Sequence, residues 1–592
     1  MRHKAKGVRN IPASTFCLVP PAYSRGVTLL DTVIGSALML LVFVGIAAAF
    51  QLSVEVVTNN RVRAGAIALA NERMEYLRSL SYTQIGVIGG IPAGNVPQEE
   101  TVFYNAISYT RRTMVAYSDD PGDGLGAADV NGIIADYKTI RVEINWQSRQ
   151  GERGLTLVGR VSPFGIETAV PGGVLTMHVV NEASESVPNA QIDIINTETV
   201  PAINIRTYTN AEGAVTFIGA PAASNYQITV SKPGYSSAQT YSVTAENPNP
   251  NPRHLTVANN QTTSANFTID HVSTKTIQTF MAIQEQTWTD SMSDDSKIDT
   301  MASTTIAGGV ARLSDASSEY LTPGTMRSIA IAPSDLYGWK TLTAEESAPG
   351  QTEIRFRIFD GSGSTLIPES QLPGNAAGFA TTSISLSGIS TTTYPQLRIG
   401  TTLTSADPLV TPSLNEYAVL YDYGPVLLPN LSFGMRGSKS IGNNPTVYKY
   451  DQILSSGPTA SLTISNVEAD TYTLSIGTTT GYTLSESCAP QPQVLAPASQ
   501  QATRLYVLPA STHSLLVDVR SNAGALLEGA SVNLTKTLYD VTIVTSSCGQ
   551  VFFGNLTQDT YTAAITASGY QQYTTNVNID GAIHLPVVLQ MQ

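Results

Sequence analysis

Five aspartates and an asparagine crowd one short stretch of the sequence: Asp119, Asp120, Asp123, Asp129, Asn131 and Asp136. Gly122, Gly124, Gly126 and Gly132 are interspersed, which lets the backbone turn sharply between the acids. Hard oxygen ligands of this kind are what calcium takes, and extracellular calcium sites can be weak yet occupied. The spacing departs from an EF-hand, which places a ligand at about every second position and closes with Glu. Asp-Pro-Gly and Asn-Gly are also turn formers, so the stretch favours a solvated turn without metal, with calcium as the alternative.

A second group is aromatic. Tyr337, Trp339, Tyr417, Tyr421 and Tyr423 could stack on sugar rings through their apolar faces. The competing use of such rings is burial in the core or rim of a β-sandwich. Of the three cysteines, Cys17 precedes a long apolar run, while Cys488 and Cys548 lie far downstream of it. An oxidising compartment permits Cys488 and Cys548 to pair; two separate buried thiols are the alternative. Six histidines (His3, His178, His254, His271, His513 and His584) are dispersed, with none at the helical spacing of a zinc pair. There is no Gly-Lys phosphate loop and no Gly-x-Ser-x-Gly elbow. The expectation is therefore a protein that is not an enzyme. Carboxylate pairs of the glycosidase kind leave no sequence signature, so a membrane-anchored carbohydrate-active protein stands as the rival class.

The third candidate is one acid in an apolar run. In "SRGVTLLDTVIGSALMLLVFVGIAAAFQ", Val27 to Phe50 is apolar except for Thr28, Asp31, Thr32 and Ser36. Roughly 20 such residues span the hydrocarbon of a bilayer. Arg2, Lys4, Lys6, Arg9 and Arg25 precede the run without an acid among them, which predicts a cytoplasmic N-terminus. A plain signal anchor fits, as does a cleaved signal with Ala47–Ala49 as its small-residue site. Neither explains Asp31, since a charge at membrane depth is expensive and calls for a partner.

The elements that position these groups follow from pattern. At 592 residues the chain should hold several domains, because one core rarely serves more than about 250 residues. A net charge of −13 disfavours nucleic acid as a partner. Short Thr/Val/Ile/Tyr runs between Gly, Asn and Pro predict a mainly β multidomain protein outside the cytoplasm. The apolar run continues into "RVRAGAIALANERMEYLRSLSY", where Ile67, Ala70, Met74, Leu77 and Leu80 keep helical spacing. A helix over 27–82 is thus predicted, half in lipid at about 27–50 and half in water. Residues 83–170 alternate as strands and predict a small antiparallel sheet packed on that helix. Two stretches then share an order of features ending in Gly-Tyr, at Tyr235 and Tyr570, and a third, ending at Tyr482, repeats the second half of that order. They predict Ig-like sandwiches at 171–273, 426–510 and 511–592, with a different sandwich at 274–425 as a possible binding domain. "AENPNPNPRH", Ala245 to His254, reads as an extended linker or as a long loop inside the first repeat.

The segment "RGVTLLDTVIGSALMLLVFVGIAAAF" resembles the N-terminus of type IV prepilins and pseudopilins. The resemblance implies a leader over 1–26, cut after Gly26 by a prepilin peptidase, with Val27 methylated as the first mature residue. Thr28, Leu29 and Leu30 fill the apolar signature. Asp31 falls at the fifth mature position, where the family usually has Glu, and would neutralise the N-terminal amine of a neighbouring subunit. A protonated amine and a carboxylate are each costly in lipid and much cheaper paired. The following helix and "YKTIRVEINW" look like minor pilins of the PilV type, and the repeats resemble carboxypeptidase-regulatory-like and other Ig-like domains.

Together these readings predict a minor pilin-like surface protein: helix anchor, sheet head and a rod of four sandwiches for adhesion. Its expected partners are the peptidase, other pilin subunits, the cytoplasmic membrane and a surface glycan at Tyr337, Trp339 and Tyr417. Calcium is the one cofactor considered. A secretion pseudopilin is the alternative within this class.

Overall fold

The computed structural model describes residues 29–124, 126–149, 151–165, 169–487 and 491–592, as one long helix followed by strands. Gly26 and Val27 lie outside the described residues. The chain divides into two compact units. One holds residues up to 174 with 200–205 and 217–221, and the other holds the remainder.

In the first unit the helix Leu29–Ser79 runs without a proline. Apolar side chains from Leu29 to Phe50 are exposed, and the most apolar window has a mean hydropathy of 2.6. That length and composition suffice to cross a membrane. From Val62 onward the helix buries a stripe of Val62, Ala66, Leu69, Ala70, Met74 and Leu77. Ile67, expected on that stripe, is 43% exposed because it sits one position off it.

The stripe packs against a four-stranded antiparallel meander, Glu99–Tyr104, Ile107–Ser118, Tyr137–Ser148 and Gly151–Val161. Ile140, Val142 and Ile144 alternate inward beneath the helix, as the sequence alternation requires. Tyr109 Oη donates to Val62 O at 2.9 Å, and a Cβ on Gly65 would lie 2.7 Å from that hydroxyl. Only glycine permits the approach. Lys138 is buried and donates to Tyr82 O (2.7 Å) and Ile85 O (2.8 Å), satisfying carbonyls just past the helix end. Burial lowers its pKa to about 8.

Most of the first sandwich and all of the others lie in the second unit. The first, third and last share one topology. In the last, Ser514–Ser521 sits between Gln550–Phe553 and Ala582–Leu589, facing Tyr539–Val544, Ser531–Lys536, Asp559–Thr566 and Tyr573–Ile579. In the first, Gly173–Val180 sits between Ala214–Ala220 and Thr262–Thr268. In the third, the same central place is taken by Ser273–Met281, between Ser461–Val467 and Gln500–Pro509.

This corrects the expected boundary at 274. Residues 273–281 are the opening strand of the third sandwich, and residues 284–423 are a separate sandwich inserted after it. The inserted sandwich leaves and returns on paired neighbours, Gln284 opposite Tyr423. The sandwiches therefore do not follow one another as beads in sequence order.

The shared Gly-Tyr signature has a physical basis. Gly234, Gly481 and Gly569 adopt φ of +78°, +77° and +82°, a left-handed turn that favours glycine. The tyrosine that opens the preceding strand, Tyr226, Tyr472 or Tyr561, is fully buried in each copy. The stretch 245–254 is a loop of the first sandwich and no linker. Asn247 Nδ2 and Asn251 N–H both donate to Ile441 O at 2.9 Å, and Asn443 N–H donates to Asn249 O at 3.0 Å. The loop thereby clasps the Ser440–Tyr448 hairpin of the third sandwich.

Candidate functional site

The acidic loop joins the second and third strands of the head. Gly124 turns at φ +123°, where a Cβ would meet Ala128 O at 2.2 Å. That turn and its neighbours bring Asp119, Asp129 and Asp136 together, with one ligand oxygen from each within 4.8 Å of the others.

One oxygen of each of two acids fixes the loop. Asp119 Oδ2 accepts from Gly126 N–H (2.7 Å); Asp129 Oδ1 accepts from Asn131 N–H (2.8 Å) and Gly132 N–H (2.7 Å). Their second oxygens, Asp119 Oδ1 and Asp129 Oδ2, are buried without a hydrogen-bond partner, as is Asp123 Oδ1. Asp136 is buried and accepts from Asp120 N–H. Asp120 turns its own Oδ1 to Gly122 N–H at 3.0 Å, and Asn131 Oδ1 takes Ile133 N–H at 2.7 Å. Of the six residues singled out by sequence, three converge, Asp123 adds an unpartnered oxygen, and Asp120 and Asn131 shape turns. The arrangement supplies the oxygen donors that a hard cation such as calcium takes.

The aromatic group does not assemble. Trp339 and Tyr417 are 2% and 1% exposed inside the core of the inserted sandwich. Trp339 Nε1–H donates to Tyr394 O at 2.9 Å, and Tyr417 packs near Trp288 with ring centroids 5.8 Å apart. Neither ring can stack on a sugar, which overturns that expectation for Trp339 and Tyr417. Tyr337 alone of the three stays exposed, because the register shifts between Leu336 and Gly338. That shift puts Tyr337 and Trp339 on different faces although they are two residues apart.

Asp31 lies in the helix, and its side chain is outside the description. Cys548 is disulfide-bonded, while Cys488 lies outside the described residues. The chain just before Cys488 runs beside Cys548: Ser487 N–H donates to Gln550 Oε1 and Ser546 Oγ–H to Glu486 Oε1, both at 2.8 Å.

Sequence reasoning missed a carboxyl–imidazole contact in the last sandwich. Asp518, fully buried, faces His584 Nε2 at 2.6 Å and also accepts from Gln550 Nε2–H. The two residues lie on the opening and closing strands, far apart in sequence, and no local spacing announces them.

Comparison with known proteins adds one family. Residues 174–270 match the carboxypeptidase regulatory-like domain. No curated protein matches the chain in sequence. Among solved structures, the Bacillus anthracis TIE protein is similar at 10% identity, over 83% of this chain and 73% of that one, with a TM-score of 0.15. The minor pilin GBS52 of Streptococcus agalactiae is 12% identical over 28% of this chain and 84% of its own, TM-score 0.13. The major pilin subunit BcpA of Bacillus cereus is 8% identical over 71% and 100%, TM-score 0.13. At those scores the likenesses carry no argument about function.

Proposed function

We propose that the chain is a minor subunit of a type IV pilus-like filament, displaying its sandwiches outside the cell for adhesion. The observation that carries this reading is the helix Leu29–Ser79. Its first half is apolar and exposed, and its second half buries one face under an antiparallel meander. Such an element anchors in lipid at one end and carries a folded head at the other. The Gly26 motif supports cleavage before Val27, and Asp31 supports pairing with a neighbour's new amine. So large a head would crowd a filament in which every subunit carried it, which favours sparse or tip placement over a secretion piston.

N-terminal mass analysis is expected to find a methylated Val27, and a chain beginning at Phe50 would sink the reading. Asp31→Ala is expected to leave the protein in the membrane and remove it from sheared filaments. Filament incorporation equal to the parent contradicts the pairing.

The convergence of Asp119, Asp129 and Asp136 favours a second, compatible reading, that the head loop takes calcium. Calcium at about millimolar level, typical of extracellular sites, should then raise the melting temperature of the head, and Asp129→Asn should abolish the rise. Identical melting with calcium and with chelator identifies a solvated turn instead.

A further inference from the structure

A cavity of about 630 Å³ lies between the third and last sandwiches, within the size range of small-molecule sites. Strand Tyr482–Glu486 and the end of Asp470–Ile476 form one wall; the outward face of the Gln550/Ser514/Ala582 sheet forms the other. Leu474, Leu484, Leu516, Phe552 and Ile583 give it an apolar body. Among the described residues its lining includes no Lys, Arg, Asp or Glu, and its half-open titratable groups are the His584 imidazole and the Tyr482 phenol.

The placement of that imidazole is built from behind. Asp518 points outward from the last sandwich, away from its core, yet its side chain is 0% exposed. It takes His584 Nε2 at 2.6 Å and Gln550 Nε2–H, and Gln550 in turn accepts from Ser487 N–H. A buried carboxylate so satisfied fixes the ring and its tautomer, committing Nε2 to donate. The other ring nitrogen, Nδ1, has no hydrogen-bond partner among the described residues.

We propose that this cavity binds a small monocarboxylate with an apolar body, its carboxyl group sharing a proton with His584 Nδ1. A carboxyl group suits that nitrogen in either protonation state. A carboxylate accepts from the charged ring and a carboxylic acid donates to the neutral one, so one proton lies between the two atoms in both. An amine finds no acid on the wall, since Asp518 is covered. A purely apolar ligand would leave Nδ1 desolvated and unpaired, which costs free energy.

The test uses the full chain in lipid nanodiscs, with 4-phenylbutyrate as probe and 4-phenylbutan-1-ol as its uncharged counterpart, read by saturation-transfer NMR. The acid should bind and the alcohol should bind roughly tenfold more weakly, because its hydroxyl replaces a charge-assisted hydrogen bond to the ring with a weaker uncharged one. His584→Gln keeps a donor for Asp518 while removing Nδ1, and Leu484→Trp fills the cavity. Each should weaken acid binding by about the same factor or more, while Tyr337→Ala in the inserted sandwich should not. No transfer to the acid, equal transfer to acid and alcohol, or unchanged binding in both His584→Gln and Leu484→Trp overturns the proposal.

Discussion

The first and last sandwiches differ most where their backbones agree best. Val179 N–H donates to Gly213 O and Val519 N–H to Gly549 O, each at 2.8 Å, so the opening strands superpose residue for residue. The inward positions agree: Leu175, Met177 and Val179 against Leu515, Val517 and Val519, all buried. The next outward position holds His178 in one and Asp518 in the other. His178 is exposed, whereas Asp518 is sealed against His584. A sandwich core dictates only the inward half of a strand; the outward half answers to whatever covers it. In the last sandwich a neighbour covers it, and an Asp–His hydrogen bond is the consequence.

The sharpest way to break that comparison is to remove one partner. His584→Ala leaves the Asp518 carboxylate buried with Gln550 alone. Stranding part of a buried acceptor in this way costs about 3 kcal/mol. His178→Ala removes an exposed ring and should stay within about 0.5 kcal/mol. Hydrogen exchange read by mass spectrometry, over peptides from 511–592 and 174–270, separates the two. Equal loss of protection in both sandwiches would mean that the outward position matters through the strand and not through its cover.

What the two sandwiches share can be tested at a smaller scale. Thr209 Oγ1 accepts from Ala190 N–H (2.8 Å) and donates to Val187 O (2.7 Å); Thr545 Oγ1 accepts from Ala530 N–H (2.9 Å) and donates to Leu527 O (2.6 Å). Both threonines are buried. Thr209→Val and Thr545→Val keep the shape and strand two backbone groups, at an expected cost of about 2 kcal/mol each. The measurement is the same exchange experiment, and the two losses should match. A loss in one sandwich at least twice that in the other would show that the clamp is not the common structural element it resembles.

How much of this was legible follows from the same contrast. Inward alternation gave the strands of the head and of the first and last repeats, and positive-φ glycines gave their turns. The acidic loop announced itself because its ligands are close in sequence. The third repeat showed only its second half, because its opening strand is separated from the rest by residues 284–423. Trp339 was misplaced because in or out is settled in its strand by register shifts that no residue spacing encodes, and Tyr417 because only the packed core decides which face of its strand is buried. Asp518 and His584 meet through parallel pairing of the first and last strands, which is invisible locally.

The third sandwich carries the comparison one step further, in its core. Thr279 N–H donates to Ala460 O at 3.0 Å, placing Thr279 with Val179 and Val519, and hence Lys275 with Leu175 and Leu515. A lysine thus stands, fully buried, where its sister sandwiches have leucine. Its Nζ donates to Gln493 Oε1 (2.8 Å), Gln501 Oε1 (2.5 Å) and Thr503 Oγ1 (3.2 Å), all neutral acceptors. Burial accordingly lowers its pKa from 10.5 to about 8. Below pH 8 both folded and unfolded chains hold the proton, and the cost of burying the charge is fully present. Between about pH 8 and 10.5 the unfolded chain still holds the proton that the folded one has released. Stability of the third sandwich should therefore rise with pH in that window, by up to about 1.4 kcal/mol per unit. Calorimetry of the full chain from pH 7.5 to 10 should show its transition moving upward, while those of the first and last sandwiches do not gain by this route. Lys275→Leu should abolish the rise and bring the third sandwich into line with its sisters. A transition in the parent chain that does not move upward with pH, or an equal rise in Lys275→Leu, would show that the ammonium at this leucine position costs the fold nothing.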